Sequence, residues 1–153
     1  MAIFSFLRKK PFFTPEQTKE IVDAIKAAER NTSGEVRVYV ESKNYLVDPI
    51  ERAGEVFLNL KMQDTDDRNA VLLYIAVKDR ELALFADKGI YEKAGAEYWD
   101  NAVKEMIAHF QKDKLSTGIA QCVIAIGNTL KEKFPYNSST DKNELPDDIV
   151  FGK

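Results

Sequence analysis

Thr65-Asp66-Asp67-Arg68-Asn69-Ala70-Val71-Leu72-Leu73-Tyr74-Ile75-Ala76-Val77 is the stretch on which the reading of the fold turns. Eight uncharged residues, Ala70 to Val77, stand between an acidic loop and Lys78-Asp79-Arg80. A run of that length, with Val, Ile and Tyr in it and turn formers at both ends, reads as a strand buried on both faces. The acidic loop at its entry is where a site is expected.

Working outward, Glu35-Val36-Arg37-Val38-Tyr39-Val40-Glu41 alternates, with valines on one face and Arg37, Tyr39 and Glu41 on the other. That pattern predicts a strand with one buried face and one partly covered face, away from the sheet centre. Asp48-Pro49-Ile50-Glu51 is a helix start, and Ile50, Ala53, Phe57 and Leu60 form the stripe that follows. Strand, helix and strand in so short a span make a right-handed crossover with parallel strands. Lys78-Asp79-Arg80 is too short for another, so Glu81 to Asp87 returns antiparallel as a hairpin.

Upstream, Thr14-Pro15-Glu16-Gln17 carries the elements of a capping box, and Ile21, Val22, Ile25 and Ala28 form the stripe behind it. Downstream, Ala96, Trp99, Val103, Met106 and Phe110 mark one helix. Ile119, Val123, Ile126 and Leu130 mark another, with Ser116 as its expected cap. Ala120, Cys122 and Ile124 make that last helix apolar nearly all round, hence well buried, and Pro135 closes it. The expected class is α/β: a three-layer sandwich on a mixed sheet with a βαβ crossover and a hairpin, three strands and about four helices. An arm (1–12), the domain (13–135) and a polar, acidic tail (136–153) partly packed on it are the expected divisions.

At 153 residues, 44% of them apolar and 31% charged, this is the composition of one soluble globular domain. A net charge of −3 sets up no field that would gather nucleic acid. The single cysteine excludes an internal disulfide, and a cytoplasmic location is expected. No run approaches the ~20 apolar residues of a transmembrane segment. Met1 to Pro11 runs apolar then basic, the reverse of a secretory signal. An arm packed on its own domain or left mobile is favoured there over a short membrane contact by Phe4, Phe6 and Leu7.

In this topology the starts of the first two strands and the end of the third share one sheet edge. Thr32-Ser33-Gly34-Glu35, Asp66-Asp67-Arg68-Asn69 and Asp87-Lys88-Gly89 meet there. Carboxylate, hydroxyl and carbonyl oxygens are the donors that Ca²⁺ and Mg²⁺ take. The bland alternative makes Asp66 and Asp67 turn residues and Asp87 the end of a strand. Other candidates read as structural: His109 is the only histidine, Cys122 lies in a packed helix face, and Trp99 and Tyr98 fall at core spacing. No phosphate-loop or glycine-rich nucleotide pattern is present.

Thr32 to Val38, Arg68 to Ala76 and Ala86 to Ile90 together resemble the TPM domain, and the likeness runs on through His109-Phe110, Gly118-Ile119, Phe134-Pro135 and Asn143 to Asp148. It spans roughly residues 14 to 150 and is nearest to the short bacterial branch of that family. Ala70 stands where the family pattern usually has glycine. Many members carry a signal peptide and a membrane helix, and an extracytoplasmic location does not carry over to a sequence showing neither. The resemblance implies a Rossmann-like α/β sandwich, a divalent cation near the loops around Asp67 and Asp87, and the acid phosphatase activity proposed for a plant relative. The expectation is therefore a cation-binding accessory module, with Asp66, Asp67 and Asp87 around Ca²⁺ or Mg²⁺, acting on an unidentified protein partner, a membrane-associated one included. The alternative is a metal-dependent acid phosphatase in which Arg68 steadies the transferring oxyanions. Against it stands the scarcity of positive charge at this edge.

Overall fold

The computed structural model describes residues 12–30, 32–44, 48–110, 115–135 and 148–152, without the side chains of residues 109 and 110. The elements run α1 (Pro15–Glu29), β1 (Glu35–Glu41), α2 (Pro49–Asn59), β2 (Ala70–Ala76), β3 (Glu81–Ala86), α3 (Lys88–Ala94), α4 (Ala96–Phe110), α5 (Leu115–Lys133) and β4 (Ile149–Phe151). The four strands form one sheet in the order β3-β2-β1-β4. β1 lies parallel to β2 and to β4, and β3 returns antiparallel to β2.

Local chemistry sets most element ends. Thr14 and Gln17 form a full capping box at α1, with Pro15 in its first turn. Asp48 caps α2 by accepting from the Ile50 amide at 2.9 Å. β2 is buried at every residue, as its uncharged run predicts. One core lies between the sheet and α1, α3, α4 and α5, and takes in Val36, Val38, Val40, Leu73 and Ile75. The second lies between the sheet and α2, and takes in Ala53, Val56, Phe57, Leu72 and Tyr74. Helices on both faces of a mixed sheet make the three-layer sandwich expected from the sequence.

Five details differ from the sequence reading. β1 is an inner strand, flanked on both sides, and Glu35, Arg37 and Glu41 on its polar face are buried. That burial is tolerated because the charges are paired: Glu41 holds Arg52 through both oxygens at 2.8 and 2.9 Å and accepts from the Tyr74 hydroxyl, while Arg37 reaches Asp148 at 3.4 Å. A fourth strand, β4, comes from the tail, and a fifth helix, α3, precedes the one expected at Ala96. Ser116 lies inside α5 and is buried, so it is not its cap. Along α2 the buried stripe is Ala53, Val56 and Phe57, whereas Ile50 is 44% exposed.

The arm with Phe4, Phe6 and Leu7, and the side chain of His109, lie outside the described residues. Ala70, where a glycine was expected from the family pattern, is a fully buried strand residue. Two residues earlier, Arg68 takes a left-handed φ of 51°.

Candidate functional site

Three chain corners converge at one rim of the sheet. The parallel register sets Glu35 beside Ala70, and the Asp87 amide donates to the Ala70 carbonyl at 2.9 Å. The Glu35 amide donates to the Asn69 carbonyl at 3.4 Å, and the Asn69 side-chain amide donates to Ser33 Oγ at 3.3 Å. Thr32 anchors the first corner by donating to the Phe134 carbonyl and accepting from Gly34 N. At the third corner Gly89 lies so close to the second that a Cβ there would collide with the Asp67 carbonyl oxygen and come within 2.7 Å of the Arg68 oxygen. Only glycine fits that approach.

Asp87 is the pivot. Its carboxylate is almost wholly buried, caps the Lys88 amide at 2.8 Å, and takes Arg68 Nε and Nη2 at 2.6 and 2.8 Å. This is the paired fork geometry of an arginine–carboxylate contact. It ties the loop before β2 to the start of α3, and it pushes the Arg68 guanidinium above its ordinary pKa. Arg68 makes this contact from a left-handed φ of 51°, where the chain turns into β2.

Asp66 and Asp67 sit on the loop's outer side. Both are exposed, and among the described residues neither takes part in a side-chain hydrogen bond or an ion pair. Asn69, which the sequence places at this edge but outside the expected ligand set of Asp66, Asp67 and Asp87, is 1% exposed, and its Oδ1 has no hydrogen-bond donor among the described residues. A buried amide oxygen without a partner is uncommon and needs a water or an ion to satisfy it. Its only sequence signal is a polar residue at the mouth of a buried strand. Among the described residues no group of three or more His, Cys, Asp or Glu side chains stands close enough to hold a metal ion.

The other candidates take structural places. Cys122 is a buried thiol pushed up to about 12 by burial first and the nearby Glu105 second, the opposite of an activated nucleophile. Trp99 is a core residue, edge-on to Tyr98 with centroids 4.8 Å apart, and the Tyr98 hydroxyl accepts from Thr129 at 2.8 Å. No described helix is long and apolar enough to cross a membrane.

The sequence model of the TPM domain matches residues 8–129. No curated protein matches the chain. Among solved structures, the BA42 protein of the psychrophilic bacterium Bizionia argentinensis is 37% identical and superposes with a TM-score of 0.86, over 95% of this chain and 99% of that one. The N-terminal domain of a P. gingivalis protein is 13% identical with a TM-score of 0.64, over 80% of this chain and 78% of that one. The N-terminal domain of the cg2496 protein from Corynebacterium glutamicum is 13% identical with a TM-score of 0.59, over 91% and 95%. The last two show the fold alone. The domain match, which covers most of the chain, and the 37% identity over nearly all of it leave one conclusion: this chain belongs to the TPM domain family.

Proposed function

We propose that the protein is a divalent-cation-binding accessory module that works by contact with another protein, one at a membrane surface included. The observation that carries the cation half is the buried oxygen of Asn69, partnerless among the described residues, on the same loop as the exposed carboxylates of Asp66 and Asp67. Oxygen donors of this kind suit Ca²⁺ or Mg²⁺, and the exposed setting leaves room for the waters both ions keep. Asp87 completes the proposed set of three aspartates. Both its oxygens are engaged by Arg68, so Asp87 joins the ion only as Arg68 swings away. Bound, the ion supplies positive charge at the rim and cross-links the corners.

The phosphatase alternative has less support. Arg68, the group that would steady transferring oxyanions, is committed to Asp87, and Lys88 is the other cation on these corners. The test is a titration of CaCl₂ or MgCl₂ into ¹⁵N-labelled protein. Amide shifts at Asp66 to Asn69 and Asp87 to Gly89, lost in Asp66→Asn/Asp67→Asn, are expected at millimolar ion. Spectra unchanged at those residues would remove the cation from the reading. Aryl phosphate turnover abolished by Asp67→Asn would instead install the enzyme.

A further inference from the structure

Among the described residues β3 is the last strand of the sheet on its side, so half of its backbone hydrogen-bonding groups face away from β2. The ladder shows which half. The Asp87 amide points inward to Ala70, and inward pairing alternates along an antiparallel strand, so Phe85 and Ala83 also face β2. Leu82 and Leu84 therefore turn their N–H and C=O groups outward.

Those two residues floor an open groove of about 370 Å³. Ile50, at the start of α2, forms one wall, and Tyr91 and Val103, from α3 and α4, form the other. Ile50 and Tyr91 are 44% and 43% exposed, and few large apolar side chains among the described residues are that open. The charged groups on the groove are Asp48 and Asp100, and among the described residues no lysine or arginine lines it. The groove thus joins a strand edge that no described strand pairs, apolar walls and a negative rim.

We infer that this edge receives a short extended peptide from a protein partner, apolar at alternate positions and basic at its ends, added as a strand beside β3. An extended segment answers the outward amides and carbonyls of Leu82 and Leu84 with backbone bonds, and its alternate side chains meet Ile50 and Tyr91. Basic ends answer Asp48 and Asp100. The same two aspartates disfavour a second copy of this chain, which would set like charges against each other. The groove is short: three residues of strand span about 10 Å, so affinity is expected to be modest. The inference rests on the protein-contact half of the proposed function and names the surface and the kind of partner.

The probe is a fluorescein-labelled heptapeptide of alternating valine and threonine with a lysine at each end, titrated into the full chain. Saturable anisotropy is expected, with amide shifts centred on Leu82 and Leu84. Replacing the terminal lysines by glutamates, or combining Asp48→Asn with Asp100→Asn, should weaken binding about fivefold, the scale of two exposed charge pairs. N-methylation at alternate residues along either edge tests the backbone bonds, and one of the two methylated peptides should fail to bind. No saturable binding, shifts away from β3, equal binding of the glutamate-ended peptide, or dimerisation through this edge in sedimentation would each overturn the inference. If the peptide fails while cations still move Asp66 to Asn69, the groove is lost and the cation reading stands.

Discussion

Cys122 illustrates how burial sets the chemistry of single residues. It lies beside Glu105, Tyr98 and Met106 on a cavity of about 120 Å³ between α4 and α5. Its pKa rises from 9.0 to about 12, so below pH 9 the thiol is neutral folded or unfolded and its contribution to stability is intact. Between pH 9 and 12 the unfolded chain releases the proton and the folded chain keeps it, so stability falls as pH rises. Tyr74, raised chiefly by burial and then by its bond to Glu41, acts in the same direction above its ordinary value. Urea unfolding of Cys122→Ala at pH 9 to 11 should show an alkaline slope shallower by about 1.4 kcal/mol per pH unit. Equal slopes would mean that the thiol titrates as it does in water. Arg68 and Asn69 belong to this scale too, because the site depends on one left-handed φ and one unsatisfied amide oxygen.

At the scale of elements, α1 and α5 pack with little between them. A Cβ at Gly127 would collide with Ala28, and Gly34 is covered by the Leu130 side chain. Glycine inside a helix costs about 1 kcal/mol relative to alanine, so an isolated α5 would gain from Gly127→Ala. Here overpacking against the backbone of Ala28 should outweigh that gain, by about 1–3 kcal/mol. Thermal unfolding of Gly127→Ala is expected at a lower temperature than the parent. A rise would show that the two helices can separate freely. The crossover, the hairpin and the cap at Thr14 were legible because each depends on spacing within a few residues or on the length of one loop. In the stripe of α2, Ala53 and Phe57 are buried as their spacing predicts, and Val56 joins them. Ile50 looks like a core position, but it projects past the end of the sheet into the groove beside β3.

For the whole molecule, β4 closes the sheet on the side away from β3. Ile149 is buried against the core, and Phe151 stacks with Phe12 at 6.0 Å, joining the two ends of the described chain. Ending the chain after Pro135 removes the strand that covers β1. Loss of the Ile149 burial alone costs about 2 kcal/mol. The shortened chain should melt earlier and associate through the bared edge, which sedimentation velocity would detect. An unchanged melting temperature and a monomer would show that β4 adds nothing.

Order along the chain, the direction of the first three strands and the meeting of three acidic or polar corners all follow from period, loop length and connectivity, which are properties of neighbouring residues. The inner place of β1, the buried Glu41–Arg52–Tyr74 cluster and the grip of Arg68 on Asp87 do not. Glu41 reads as a solvent-facing residue until Arg52, 11 positions away, and Tyr74, 33 positions away, are folded against it. Whether a charge lies inside or outside depends on partners that only the assembled layers bring within hydrogen-bond range.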